Sequence, residues 1–167
     1  MKHTALIKSI PAPIRAYIRR EKKPPSEAML RRNGYSVVVD GMFKWVAAHD
    51  THVLKFARRG KRTGGPRRRN DFVDREVRMY NSLTREQRRM VVPMVLLCKG
   101  ISVATKCLVD DPDNHEIKAW DGTAMLVKKI WRQMGIKWID SHGGNVGFLP
   151  RRGYPVIIDL DYFESVK

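Results

Sequence analysis

The sequence predicts an α+β fold for the protein. Two or three strand-like segments come first, followed by a helix, two more strands, a second helix and a closing hairpin. This irregular order differs from the regular strand–helix alternation of a doubly wound parallel sheet. No internal repeat is visible, and 167 residues with 43% hydrophobic content suffice for one domain with its own core.

The first 32 residues are predicted to form a basic N-terminal arm. One short helix is expected around Ile14 to Arg20, and Lys22-Lys23-Pro24-Pro25 is expected to end it because proline cannot continue a helix. The pair Asn33-Gly34 that follows is a turn signal. The arm, residues 1–32, is therefore expected to precede the main fold.

Three strands are predicted after this turn. The stretch from Tyr35 to Val39 is rich in β-branched residues, and Asp40-Gly41 indicates a hairpin turn into a second strand of ambiguous length. The alternating residues from His52 to Phe56 predict the third strand. These segments are expected to begin a sheet.

A strongly basic segment, residues 58–70 (RRGKRTGGPRRRN), follows the third strand in a chain of formal net charge +16. Of the 33 Lys and Arg residues, 25 precede residue 110, so the excess belongs to the first two-thirds of the chain. Such a field attracts nucleic acid, nucleotide phosphates or an acidic protein without distinguishing among them, and a solvated loop is the alternative. The contacts to nucleic acid or an acidic protein are expected from Arg58, Arg59, Lys61, Arg62, Arg67, Arg68 and Arg69.

Two helices and two strands are predicted between this segment and residue 136. Apolar residues recur at helical spacing in the helices, and the strands are short apolar runs. The predicted elements are a helix at 71–90, strands at 91–97 and 101–109, and a helix opened by Asp121-Gly122-Thr123 and ended by Gly135.

The C-terminal stretch WIDSHGGNVG, residues 138–147, carries the residues that suggest chemistry. Asp140 stands five residues before Asn145, and the glycines between them let the backbone turn tightly. Asp159 ends an apolar strand, where a carboxylate is costly unless it holds a proton, a metal or a partner. Asp and Asn oxygens suit magnesium carrying phosphates, and a second Asp could accept a hydroxyl proton. The pattern predicts phosphoryl transfer.

A phosphate site also needs a backbone cradle and positive charge, and both have candidates upstream. Gly34 with Ser36 fits the cradle, and Lys55 on the third predicted strand supplies the charge. Glu76, on the predicted helix at 71–90, can orient this lysine. The alternatives are that Lys55 is an exposed edge lysine and that Glu76 is a solvated helix charge.

The order of Lys55, then Asp140-x-His142-x-Gly144-Asn145, then Asp159 resembles that of protein-kinase-like phosphotransferases. The DxHxGN form is similar to that of aminoglycoside and choline phosphotransferases. Together with Asn33-Gly34-Tyr35-Ser36, it is also similar to the short serine/threonine kinases of podophages that infect enteric bacteria. The resemblance covers residues 33–163 and implies a minimal protein-kinase-like fold. Its antiparallel-sheet N-lobe would span 33–110, and a truncated helical C-lobe with the catalytic loop and a metal-binding hairpin would span 111–167.

The resemblance also implies a function and a role for each residue. The expected reaction is ATP- and magnesium-dependent transfer to a hydroxyl, most readily to Ser or Thr of host proteins in the host cytoplasm. The resemblance implies that Asp140 is the catalytic base and that His142 supports its loop. The implied ATP-binding residues are Gly34, Ser36, Lys55 and Glu76. Magnesium would be bound by Asn145 and Asp159, with Asp161 as a second candidate carboxylate.

Three features depart from the kinase pattern. No second glycine follows Gly34 at kinase spacing, Asp159-Leu160-Asp161 stands where kinases have Asp-Phe-Gly, and six residues follow Asp161. Two other functions therefore stay open. One is a small-molecule kinase of the aminoglycoside type. The other is a catalytically weak or inactive kinase-like protein that binds and inhibits a host nucleic-acid-associated or acidic partner.

Cysteine content and hydropathy bear on the compartment. Cys98 and Cys107 lack the spacing of a zinc site and are predicted to be core strand residues of a cytosolic protein. No apolar run reaches the length of about 18 residues that a membrane span needs, and the N-terminus lacks the features of a signal peptide. The sequence predicts a cytoplasmic protein without a membrane partner.

Overall fold

The computed structural model of the protein describes residues 3–38, 44–57, 72–108, 117–138, 141, 143–149, 152, 154–160 and 163–165. The chain divides into two compact units. The first unit comprises Met1–Arg78 and Pro93–Lys106, and the second comprises Met79–Val92 and Cys107–Lys167. Each unit is described by itself below.

The described residues form helices α1 to α6, one 3-10 turn and strands β1 to β9. The helices are α1 His3–Ser9, α2 Ala12–Glu21, α3 Glu27–Arg32, α4 Phe72–Ser82, α5 Arg85–Arg89 and α6 Ile117–Gln133, and the 3-10 turn is Gly143–Asn145. The strands are β1 Ser36–Val38, β2 Lys44–Ala48, β3 His52–Ala57, β4 Met94–Cys98, β5 Ile101–Thr105, β6 Ile136–Trp138, β7 Val146–Phe148, β8 Pro155–Ile157 and β9 Phe163–Ser165. No helix among them is long and apolar enough to cross a membrane.

The first unit is built on an antiparallel sheet of five strands in the order β1-β2-β3-β5-β4. Lys55 of β3 lies opposite Val46 of β2 and Ser102 of β5. Side chains alternate between the two faces of a strand, so Leu54 and Phe56 lie on the face opposite Lys55. We call the face of Lys55 the polar face and the other the apolar face. The predicted α+β class, with an antiparallel sheet, is confirmed.

Helices α1 to α3 pack their apolar side chains into the core on the apolar face. Leu6, Ile10, Ile14 and Ile18 recur at intervals of four residues, and each is at most 3% exposed. They form one core cluster with Leu54 and other residues of the sheet. The sequence analysis expected one short helix in a basic arm, whereas residues 3–32 contain three helices. The many exposed basic residues had obscured the helical spacing of the apolar ones.

The junction between α3 and β1 is fixed by capping at both helix ends. The Ser26 hydroxyl accepts a hydrogen bond from the Met29 N–H at 3.2 Å and caps the start of α3. At the other end, the N–H groups of Gly34 and Tyr35 donate to the carbonyls of Arg31 and Leu30. This is a Schellman motif, which requires Gly34 to adopt a left-handed φ of +82°.

The predicted helix at 71–90 is interrupted in the structure. Helix α4 ends at Ser82, and α5 begins at Arg85 after the N-cap residue Thr84. The Thr84 hydroxyl accepts from the Gln87 N–H, and the Gln87 side chain accepts from the Thr84 N–H. This capping box is a start signal inside an otherwise continuous apolar pattern, which explains why the single long helix was wrong.

The second unit contains α6 and two short antiparallel strand pairs, β6–β9 and β7–β8. Helix α6 contacts the 3-10 turn and strands β6, β7 and β8. The helix ends before Gly135 as predicted, but it begins at Ile117 rather than at the Asp121-Gly122-Thr123 triplet. The triplet was wrong as a helix start because glycine is unfavourable inside helices, yet Gly122 lies inside this one. The predicted closing hairpin is confirmed as β7–β8, whereas the predicted Asp40-Gly41 turn lies outside the described residues.

Candidate functional site

The polar face of the first unit carries a buried ion pair between a strand and a helix. Lys55 Nζ of β3 donates a hydrogen bond to Glu76 Oε1 of α4. The Lys55 side chain is 10% exposed and the Glu76 side chain is fully buried. Buried charges are costly without a partner, so this ion pair holds both the Lys55 side chain and helix α4 in place on the sheet. The structure therefore joins two residues that the sequence analysis had assigned to one site.

A second lysine shares this carboxylate. Lys44 Nζ of β2 donates to Glu76 Oε2 at 3.4 Å, and the Lys44 side chain is 11% exposed. The sequence analysis missed Lys44 because the extent of the second strand was ambiguous. In the structure Lys44 lies two residues before Val46, and the β2–β3 register sets Val46 opposite Lys55. The sequence carries no signal of this register. Both ammonium groups thus lie on the polar face.

The helix that carries Glu76 is also held at its first turn. The buried carboxylate of Asp74 accepts a hydrogen bond from the Gly100 N–H at 2.8 Å, in the turn between β4 and β5. Ser102, next to Lys55 across the sheet, is fully buried as well. Asp74 therefore holds α4 to the β4–β5 turn, and Ser102 adds a polar side chain to the polar face beside Lys55.

The structure describes the neighbours of Gly34 and Ser36, the two residues predicted to cradle phosphate. Gly34 terminates α3, and a β-carbon at this position would lie 3.2 Å from His49 Nε2. Ser36 is exposed and pairs with Ala48 across the β1–β2 ladder. A glycine at position 34 is accounted for by the helix cap alone, and the phosphate role of both residues stays a prediction.

The second unit brings Asn145 and Asp159 to one end of the β7–β8 hairpin. Val146 pairs with Ile157, and the Ile158 N–H donates to the Asn145 carbonyl at 3.0 Å. Asn145 immediately precedes the first strand and is buried, whereas the half-buried Asp159 follows the second strand after one residue. The backbones that carry Asn145 and Asp159 therefore meet at one end of the hairpin, and the magnesium role of both residues stays a prediction.

Gly147 lets the β7–β8 hairpin pack closely against Cys107 and Leu108. A β-carbon at Gly147 would lie 2.7 Å from Cys107 Sγ and 3.0 Å from the Leu108 carbonyl oxygen. The Leu108 N–H donates to the Phe148 carbonyl, and the Phe148 N–H donates back, each at 2.8 Å. The close approach of the backbone therefore requires glycine, and it sets the position of Asn145 two residues earlier.

Several predicted site residues lie outside the described parts of the chain. Within the described parts, no group of three or more His, Cys, Asp and Glu side chains is arranged to hold a metal ion. The predicted roles of the following residues are therefore untested: Asp140, His142, Asp161, Arg58, Arg59, Lys61, Arg62, Arg67, Arg68 and Arg69.

A buried aromatic cluster near the β2–β3 turn was missed by the sequence analysis. Tyr35 Oη and His52 Nε2 are 2.6 Å apart, and the His49 ring stacks on His52 with centroids 4.9 Å apart. His52 is fully buried. Burial, reinforced by the charge of His49, lowers the pKa of His52 to about 4, and burial raises the pKa of Tyr35. The cluster therefore stabilises a neutral imidazole in the core.

The fold and the site belong to a mixed α+β class that is compatible with a kinase-like fold. No protein-family model and no curated protein matches the chain. Among solved structures, it is similar to the co-crystal structure of WbdD with the kinase inhibitor LY294002, at a TM-score of 0.52 and 12% identity. The similarity covers 76% of this chain and 32% of the WbdD chain, so this chain spans about a third of that protein. At this identity, the similarity shows the shared fold alone.

Proposed function

We propose that the protein is an ATP- and magnesium-dependent phosphotransferase with a minimal protein-kinase-like fold. The observation that carries this proposal is the buried pair of Lys55 on β3 and Glu76 on the helix that follows in the first unit. Such a pair holds a strand lysine ready for nucleotide phosphates in protein kinases. Similarity in fold to a protein crystallised with a kinase inhibitor supports the same class.

The proposed roles follow from the chemistry of each side chain. Lys55 contacts the phosphates of ATP, and Glu76 keeps the lysine in place. Asn145 and Asp159 offer hard oxygens at one hairpin end, which fits magnesium, although a complete ligand set would need further oxygens. The metal, when bound, neutralises charge on the phosphates. Asp140 accepts the proton of the attacking hydroxyl.

The phosphoryl acceptor is proposed to be a Ser or Thr hydroxyl of a host protein, as in the short phage kinases that the sequence resembles. In the transfer, the bond between the γ-phosphorus and the bridging oxygen of ATP breaks, and a bond to the acceptor oxygen forms. ADP leaves, and the hydroxyl proton passes to Asp140. Catalysis of this kind rests on positioning and charge stabilisation more than on covalent chemistry.

Thermal unfolding with and without ATP and magnesium tests the nucleotide site. At a ligand concentration of 100 times Kd, the native state gains about 2.7 kcal/mol, which raises Tm by roughly 5–10 °C in a chain of this size. Lys55→Met and Asp159→Asn are expected to abolish most of this rise. The matched controls are exposed residues of the same units, Lys106→Met and Glu86→Gln, which are expected to keep it.

A rise that is equal in all four variants would contradict the assignment of Lys55 and Asp159. An unchanged rise in Asp159→Asn alone would direct attention to Asp161. Retention of the rise without any transfer to protein would favour a kinase-like binding protein, which the net charge of +16 also suits. Transfer to an aminoglycoside but not to protein would favour the small-molecule kinase.

A further inference from the structure

Two neighbouring cavities lie on the first unit, and Lys22 at the end of α2 lines both. One cavity, of about 500 Å³, is lined by residues that include Lys22, Lys23, Lys99 and Trp45. The other, of about 890 Å³, lies along α2 and β4 and also includes Lys22 in its lining. Both cavities have Lys22 in their lining, and we call the two together the α2 groove.

Basic side chains line both cavities of the α2 groove. Its basic side chains are Arg15, Arg19, Arg20, Lys22, Lys23 and Lys99, and no acidic residue belongs to the described lining. The nearby Glu21 carboxylate accepts from Arg20 at 2.8 Å and contacts Lys23 at 3.5 Å. Arg19, Lys22 and Lys99 are all exposed. Positive charge in this density favours a ligand that carries repeated negative charges.

An aromatic ring lies in the wall of the same groove. Trp45 of β2 is half-buried and stacks on Phe56 of β3, with ring centroids 4.0 Å apart. This packing holds the indole in a fixed position while part of it lines the cavity. Apolar side chains of Ile7, Ile18 and Leu97 line the other cavity. The groove thus offers cations together with flat and apolar surfaces.

The α2 groove is separate from the candidate nucleotide site. Of the groove residues, Trp45 and Ile101 lie on the apolar face of the sheet by strand alternation, whereas Lys44 and Lys55 lie on the polar face. Ala57, at the last position of β3, lines the edge of the groove. The basic segment 58–70 lies outside the described residues and takes no part in this assignment. Its ligand is therefore an additional one.

We propose that the α2 groove binds single-stranded nucleic acid. The basic side chains contact successive phosphates, and an unstacked base lies against Trp45, which is the combination that proteins use for single strands without reading sequence. A duplex keeps its bases stacked and cannot offer one to Trp45. A membrane surface presents charge on a plane, which a depression between a helix and a sheet does not match.

Fluorescence anisotropy with a labelled 15-mer of thymidylate tests the phosphate contacts. The variant Arg19→Gln/Lys22→Gln/Lys99→Gln removes three lining cations, and each lost contact lowers the salt slope by about 0.7. The slope is expected to fall by about 2 in total, with an affinity loss on the order of 100-fold at 0.1 M salt. The control Lys128→Gln/Lys129→Gln/Arg132→Gln removes the same residue types from exposed positions of α6. The control is expected to lose about 3-fold or less in affinity, because its three residues are not part of the groove lining and salt screens general charge attraction.

Intrinsic fluorescence tests the base contact. The 15-mer is expected to quench part of the emission of the protein, and Trp45→Phe is expected to remove that quenching, because Trp45 lines the groove and Trp131 and Trp138 are buried. Trp120→Phe, the variant of the remaining tryptophan, is expected to keep the quenching. Thymidine monophosphate is expected to cause no quenching at the concentration at which the 15-mer saturates.

Three results would overturn the proposal. They are equal losses of affinity in the two triple variants, quenching that is unchanged in Trp45→Phe, and equal binding of the monophosphate and the 15-mer. A preference for phosphatidylserine vesicles over the 15-mer, lost in the first triple variant alone, would assign the groove to membranes and would overturn it as well. The proposal is independent of phosphotransfer, so Lys55→Met is expected to bind the 15-mer as well as the wild type does.

Discussion

The buried imidazole of His52 makes the stability of the protein depend on pH in a defined direction. The folded state holds His52 neutral, because burial and the charge of His49 lower its pKa from 6.5 to about 4. Between these two values the unfolded chain binds a proton that the folded chain does not. Stability contributed by this residue is therefore fully present above pH 6.5 and is lost as the pH falls towards 4.

The size of this effect follows from the shift in the pKa. A decrease from 6.5 to about 4 corresponds to about 3 kcal/mol of unfolding free energy, at roughly 1.4 kcal/mol for each unit of pKa. That is a large share of the 5–15 kcal/mol that stabilises typical domains. Because His52 is fully buried, solvent does not screen the effect substantially.

Urea denaturation from pH 7.5 to 4 measures this contribution when the wild type is compared with His52→Gln. Glutamine keeps a hydrogen-bonding group near Tyr35 Oη but does not titrate. The variant is expected to be less stable at neutral pH and to lose about 3 kcal/mol less than the wild type on acidification. Parallel pH profiles for the two proteins would refute a neutral, buried His52.

Two further predictions concern stability and use the same denaturation assay. Gly147→Ala is expected to destabilise the protein by about 1–3 kcal/mol, because the added methyl group would collide with Cys107 Sγ. Gly122→Ala is expected to stabilise the protein by about 0.5–1 kcal/mol, because Gly122 lies in α6 with open space around it. A change of the same sign in both variants would contradict the packing of these glycines. Thr84→Ala removes the hydroxyl that accepts from the Gln87 N–H and is expected to cost about 1 kcal/mol, so an unchanged urea midpoint would show that the capping box does not stabilise the protein.

The sequence alone predicted the strands that form hairpins and the residues that approach each other through them. β3, the β4–β5 pair and the β7–β8 hairpin have alternating or apolar runs bounded by turns, so local patterns suffice to find them. The juxtaposition of Asn145 and Asp159 follows from that last hairpin. The pairing of Lys55 with Glu76 needed the resemblance to kinases as well, because a contact across 21 residues is not a local property.

Features that depend on tertiary packing could not be predicted in the same way. The helix predicted around Ile14 to Arg20 is present as α2, but α1 and α3 were missed because exposed charges dominate the composition of residues 3–32. Lys44 gained its role only from the register of β2 against β3, which the sequence does not fix. The His52 cluster likewise arises where β1, β2 and β3 meet, and the separate residues carry no local signal of it.

Transfer of label from γ-labelled ATP tests the central proposal most directly. Wild-type protein and Asp140→Ala are incubated with labelled ATP, magnesium and a bacterial cell lysate, at concentrations that give equal bound ATP. With the wild type, labelled Ser or Thr is expected in the lysate or in the chain itself. With Asp140→Ala no label is expected, because a catalytic base contributes to transfer rather than to ground-state binding. Bound ATP without any label in the wild type, or undiminished label in the variant, would contradict the proposal.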